Sequence, residues 1–220
     1  SEIASFLSFR PESVKSYEVG YKGNFMNGAL YVAVAGFYAD YNDVQIPGSV
    51  ACTVSVGGVP TPSFCGVVSN AGKARFKGLE FESNARLAQD FLTGGDRLSL
   101  STAVGYIDAE YREYVTNIGG VPTDVAAFRK VQNTPKWTAS GTLGYTTPVG
   151  DGSLYAGSTL SWRSKTYQFE IPNPYIDQKG YALWDASIVY TAPDDRWTLG
   201  LHGKNLLLSL IHISEPTRPY

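Results

Sequence analysis

Apolar and polar residues alternate with a period of two along most of this chain. From Tyr17 onward, Tyr17, Val19, Tyr21 and Phe25 fall on one face, and Ser16, Glu18, Lys22 and Asn24 on the other. That pattern predicts a strand with one wet and one greasy side. Asn27-Gly28 follows, the signal for a two-residue type I′ hairpin turn, and leads into a long second strand over 29–41. After a connecting segment expected over 47–72, Leu79, Phe81, Ala85 and Leu87 oppose Gly78, Glu80, Glu82, Asn84 and Arg86. Leu98, Leu100, Val104 and Tyr106 then oppose Ser99, Ser101, Ala103 and Gly105, and Trp137, Ala139, Leu143 and Tyr145 oppose Thr138, Ser140, Thr142 and Thr146. The same rhythm returns with Leu154 to Trp162, Trp184 to Tyr190, and Trp197 to Leu201. The sum is an all-β antiparallel meander of about eight strands.

The connections alternate in length. Those at 27–28, 90–96, 148–152 and 192–196 are short, whereas those at 47–72, 113–133 and 169–179 are long. Short turns at one end and long loops at the other are the rhythm of an outer-membrane barrel, which a soluble sandwich does not require. Several runs reach the roughly 9 to 11 residues that a tilted membrane-crossing strand needs. Tyr17, Tyr41, Trp137, Tyr145, Trp162, Tyr181, Tyr190 and Trp197 lie mostly toward strand ends, where an aromatic girdle meets lipid headgroups. The competing arrangement packs these rings into the core of a secreted or surface β-sandwich that binds glycans through exposed aromatics.

Composition agrees with strands: 15 Tyr, 4 Trp and 23 Gly accompany a single Met. A net charge of -2 with scattered Lys and Arg leaves no basic face for nucleic acid. No run of apolar residues is long enough for a membrane helix, and a mean hydropathy of -0.14 is what alternating lipid-facing and lumen-facing residues produce. Ser1-Glu2-Ile3 does not begin a signal peptide. The two cysteines, Cys52 and Cys65, lie in one Gly/Pro/Ser/Val-rich segment without zinc-ligand neighbours. A disulfide stapling a surface loop is expected in an oxidising compartment, with free thiols the alternative.

Several segments resemble, in order and spacing, the C-terminal barrel of TonB-dependent receptors. They are 9–23 (Phe-Arg-Pro-Glu-Ser-Val through Gly-Tyr-Lys-Gly), 35–45, 70–82, Asn133-Thr134-Pro135-Lys136-Trp137 and Gly203-Lys204-Asn205-Leu206. The resemblance covers about 6–206 and implies part of the wall of a transmembrane barrel of about 22 strands, with an N-terminal plug in its lumen. Residues 1–206 would be that partial barrel, lacking the plug, the TonB-contacting segment and the closing strand. Residues 207–220 would be a non-native tail, since the run from Leu208 to Arg218 resembles the translation of a sequencing-library adapter. The implied function is uptake of a large scarce solute, siderophore-like or oligosaccharide, across the outer membrane of a Gram-negative bacterium with energy from TonB. Outer-membrane lipid, TonB and the solute are the implied partners.

No enzymatic motif competes with that reading. Gly-x-Ser-x-Gly is absent, and His202 has no nucleophile placed beside it by any motif, so a Ser-His-Asp hydrolase has little support. Glu80 and Glu82 share a face, but Arg86 continues it and Lys73, Arg75 and Lys77 lie nearby, which favours lumen ion pairs that hold a plug in place over acid/base catalysis. No cofactor or metal ligand set is indicated. Glu80, Glu82, Asn84, Arg86, His202 and Lys204 are the candidate lumen wall. Phe64, Phe128, Tyr167 and Tyr175 are the candidate contacts in the long external loops.

Overall fold

A computed structural model describes residues 9–207, apart from the side chains at 46–51, 64, 67, 69 and 71. One open antiparallel sheet organises them. Its strands are β1 (Ser13–Phe25), β2 (Leu30–Val56), β3 (Val59–Gln89), β4 (Arg97–Ile118), β5 (Val121–Asp124), β6 (Trp137–Val149), β7 (Gly152–Arg163), β8 (Tyr181–Thr191) and β9 (Thr198–Gly203). They pair in the order β1-β2-β3-β4-β6-β7-β8-β9, with the short β5 attached to β4 alone. Each wall strand pairs with its neighbour in the chain apart from that excursion, which is the expected meander.

Register turns the alternation of each strand into two continuous faces. Residues opposite one another in an antiparallel pair project to the same side. One row runs Tyr21, Val34, Phe81, Val104, Ala139, Trp162 and Ala182, and another runs Leu98, Tyr145, Ala156, Ile188 and Leu201. The apolar residues therefore merge into one belt across the sheet. No second layer of the described residues covers it: Val19 is 77% exposed, Leu160 53% and Leu201 75%. A sandwich would bury such a face at its centre. Here the core of described residues is small, centred on Tyr114 near the end of β4 and Val125 just after β5, so the belt needs an apolar solvent outside the protein.

Aromatic rings bound the belt. Tyr106 and Trp137 pack at one level with ring centroids 4.6 Å apart, and Tyr190 and Trp197 at the other with centroids 5.5 Å apart. Beyond Tyr38 and Tyr106 the same face turns ionic, with Arg75 to Asp40 at 3.0 Å and Lys77 to Asp108 at 3.3 Å. Greasy band, aromatic girdle and charged rim follow one another along the strands, as at a lipid–water boundary.

Two expected loops are strands. The segment over 47–72 continues β2 and β3 into a hairpin closed by Gly57-Gly58, and β4 runs on to Ile118 before turning at Gly119-Gly120 into β5. Both glycine pairs have positive φ, which a tight two-residue turn demands. The physical reason for the difference is that alternation needs two different solvents. Where both faces of a strand meet the same solvent, the period-two signal fades while Val and Thr retain their preference for extended backbone. Cys52 and Cys65 thus sit in paired strands of that hairpin, joined by a disulfide with Cα atoms 5.8 Å apart, and not in a loop. At the other end, the first turn takes four residues. Met26, Asn27 and Gly28 are all left-handed, and Phe25 pairs with Leu30.

The longest short-end turn is organised by Asp96, the most fully buried side chain described. Its carboxylate accepts from the backbone N–H of Phe91 at 2.8 Å, Leu92 at 3.0 Å and Thr93 at 3.1 Å, and from the Tyr145 hydroxyl at 3.0 Å. Burial opposes ionisation, but these donors together outweigh it and hold the carboxyl below the usual carboxylate range.

Candidate lumen wall and outer mouth

The face opposite the apolar belt carries most of the polar candidates. Glu80, Glu82 and Asn84 align on β3 beside Gly105, Ala103 and Ser101 of β4, and Arg86 lies beside Ser99. Small and hydroxyl residues continue the surface through Thr138, Ser140 and Thr142 of β6 to Thr159 and Ser161 of β7. A hollow of about 350 Å³ runs across this face, lined by Glu80, Glu82, Ser140, Ser161 and Arg163 among others. The ion pairs expected of these carboxylates are ones that hold a plug. Among the described residues neither Glu80 nor Glu82 forms one; Lys73 instead pairs with Glu113 at 2.6 Å, while Arg75 and Lys77 serve the opposite face. The reason is register, since Arg75 and Lys77 are odd-numbered on a strand whose even-numbered residues carry the glutamates.

His202 and Lys204 lie at the far end of the same face. His202 pairs in register with Ser187, and both line a smaller hollow with Tyr155, Thr159 and Asp185. The His202 imidazole rests over Gly200, where a Cβ would come within 2.7 Å of Nε2. Asp185 accepts from the Asn205 backbone N–H at 2.7 Å, fixing the bend after β9. No reacting hydroxyl joins His202 and Asp185 in a hydrogen-bonded relay among the described residues.

At the long-loop end the structure joins two connections that the sequence left separate. Lys130 N–H donates to the Glu170 carbonyl at 2.8 Å and Asn133 N–H to the Tyr167 carbonyl at 2.9 Å. The Glu170 carboxylate accepts from Gln132 Nε2 at 2.8 Å and from the Tyr114 hydroxyl at 3.5 Å, and the Arg129 guanidinium lies 5.2 Å from the Tyr114 ring centroid. Burial, followed by the Glu170 charge, pushes the Tyr114 phenol up to about 12. The base of this cluster is set by Asp124, which accepts from the N–H groups of Tyr114 and Ala126, both at 3.0 Å, and is held below the usual carboxylate range by them in that order.

Of the expected mouth residues, Phe128 and Tyr175 stand free, the latter 94% exposed. Tyr167 is half-buried, with Lys165 Nζ 4.6 Å from its ring centroid. The Phe64 side chain lies outside the described residues. Glu170, Tyr114, Arg129 and Asp96 are the organising residues that sequence reasoning missed. The paired aspartates Asp90 and Asp96 flanking a Gly-rich turn were the one available signal.

A one-layer meander with a lipid-type outer face and a hydroxyl-rich inner face describes a barrel wall. Comparison with known families decides which, because the β-barrel model described as TonB dependent receptor-like matches residues 4–206. The chain belongs to the TonB-dependent receptor β-barrel family. That family consists of outer-membrane transporters rather than enzymes and works in general with TonB. The match spans every wall strand β1 to β9, and it stops just short of residues 207–220, whose expected non-native character concerns positions outside the described residues apart from Leu207.

Proposed function

We propose that this wall belongs to a receptor that takes up a large, scarce solute, of the siderophore or oligosaccharide class, across the outer membrane of a Gram-negative bacterium. The single observation that carries the reading is an apolar belt left uncovered across the eight wall strands, backed by an opposite face that is polar on β1, β3, β4, β6 and β7 and mixed on β2 and β8. Lipid solvates the belt, and the opposite face lines a water-filled or plug-filled lumen. Among the described residues β1 and β9 end the sheet, and since hydrocarbon cannot hydrogen-bond an open edge, this reading requires a strand partner beside each.

In this account the long-connection end faces outward and the short turns face the periplasm. Phe128 and Tyr175 provide exposed rings at the mouth, and Glu80, Glu82, Asn84, Arg86, His202 and Lys204 are wall contacts for a plug or a passing solute. The β2–β3 hairpin reaches beyond them, stiffened by Cys52–Cys65. The test is uptake of a panel of labelled ferric siderophores and oligosaccharides by cells expressing the intact receptor. Accumulation of one of them that disappears on deletion of TonB or collapse of the proton gradient is expected. Uptake by passive flux alone, independent of TonB, would overturn the reading.

A further inference from the structure

We infer that a groove in the middle of the apolar belt, floored by Gly141, holds one acyl chain of an outer-leaflet lipid in a fixed place. The inference rests on the belt as a lipid-facing wall and goes beyond it, because a uniform belt would hold no lipid longer than another. The groove measures about 410 Å³; Leu100, Leu143, Leu160 and Trp184 form its sides, and Leu207 also touches it. Register puts all four sides on the belt face, since Leu100 pairs with Leu143, Gly141 with Leu160, and Leu160 with Trp184.

Gly141 has no steric reason to be glycine among the described residues. Glycine inside a strand weakens it, and marks a bulge, a bend or the close approach of another molecule. Nearby strand glycines are explained by their neighbours: a Cβ at Gly105 would lie 2.8 Å from Thr138 Oγ1, and one at Gly144 would lie 3.0 Å from the Tyr155 ring. At Gly141 a Cβ would meet nothing within 4 Å, and φ is not positive. The pairing runs unbroken from Thr102 through Gly141 to Leu160, so no bulge accounts for it either. What the missing side chain does is leave the groove open.

The walls favour hydrocarbon. Ser158 is the polar aliphatic side chain among the lining residues, and its hydroxyl accepts from the Trp184 indole N–H at 2.8 Å. That bond satisfies the indole donor and fixes the ring as one side of the groove. No charged side chain lines the groove among the described residues, so a headgroup seated there would be desolvated without a partner. Depth then picks the leaflet. Leu143 pairs with Ser158 at the middle of the β7 belt, while Gly141, Leu160 and Trp184 form the next belt row toward the long connections. The groove therefore runs from the bilayer midplane toward the outer side, where the terminal half of an outer-leaflet chain lies. Packing against preformed walls holds the chain, because leaving other lipid tails brings no hydrophobic gain.

The experiment uses the intact receptor in phosphatidylethanolamine vesicles doped with the same lipid carrying a diazirine either near the end of one acyl chain or near its carbonyl. Photolabelled residues are read by peptide mass spectrometry. The chain-end probe should label Leu143 and Leu160 about threefold more in wild type than in Gly141→Leu, which fills the groove; the difference is modest because each carbon contact contributes little. Labelling of Leu30 and Val32, on the belt outside the groove, should be the same in both proteins. The near-carbonyl probe should show no such difference. Gly141→Ala should give an intermediate value, and serves alone if the leucine variant does not fold. Equal labelling of wild type and variants, or a difference only with the near-carbonyl probe, would overturn the inference. So would a groove closed to the probe by a second receptor, seen as a dimer that Gly141→Leu dissociates. Chain-end label on Ser140 and Ser161, on the opposite face, would instead fail the lipid-facing reading of the belt itself.

Discussion

Replacing Leu160 by Arg tests whether the apolar belt meets lipid, because the adjacent Ser161 offers a control on the opposite face of the same strand. The belt on β7 runs from Leu154 to Trp162, so its midpoint is Ser158 and Leu160 lies two residues away. At about 3.4 Å per residue and a tilt near 45°, that places Leu160 about 5 Å from the bilayer midplane. Arg at the midplane of a lipid-facing strand costs about 2 to 4 kcal/mol, falling to about 0 to 1 at the interface. The expected cost for Leu160→Arg is therefore about 2 to 3 kcal/mol, a shift of roughly 30- to 150-fold in the folding equilibrium. Ser161→Arg, facing a polar hollow that already contains Glu80 and Glu82, should stay within about 0.5 kcal/mol of wild type. Guanidinium titration of the intact receptor refolded into lipid vesicles, followed by the mobility shift of folded against heat-denatured protein, measures both. Equal cost at the two positions, or a greater cost at Ser161, would refute the assignment of faces.

Three further outcomes follow from particular contacts. Asp96 is held ionised by four donors, so its contribution to stability is present above the ordinary carboxylate pKa and is lost as pH falls through its lowered folded value; Asp96→Asn should destabilise the receptor at neutral pH and flatten that acid-side decline in denaturation curves. Gly78→Ala should cost about 1 to 3 kcal/mol in the same titration, because a Cβ there would meet the Tyr106 carbonyl and come within 2.6 Å of the Phe37 ring. Glu170→Ala removes acceptors for Gln132 and Tyr114 and should speed hydrogen exchange at the Lys130 and Asn133 amides about fivefold, with β7 and β8 amides unchanged.

The wall was readable from sequence because two solvents act on it. Each membrane-crossing strand must present an apolar residue to lipid and a polar one to the lumen, so Leu154 to Trp162 or Trp184 to Tyr190 announce both strand and face. The charge-free stretch over 44–72 had no such asymmetry. Its strands were hidden, although Gly57-Gly58 marked the turn that closes them. The candidate lumen wall was legible as a face, and parity already set Arg75 and Lys77 apart from Glu80 and Glu82; their partners Asp40 and Asp108 were not legible, since those depend on the register of β3 against β2 and β4. The Glu170 cluster could not be read at all. It joins Tyr114, at the outer end of β4, to a residue 56 positions later in an irregular connection, and no local pattern reports such a contact.

The most direct test of the account is a spin-label scan over 182–190 in β8 of the intact receptor in lipid vesicles, comparing accessibility to oxygen and to a water-soluble nickel chelate. The account predicts strict alternation, with Ala182, Trp184, Ala186, Ile188 and Tyr190 favouring oxygen, and Leu183, Asp185, Ser187 and Val189 favouring water-borne nickel or plug contact. Protection of the first set from both reagents, as in the core of a sandwich, would contradict a membrane wall.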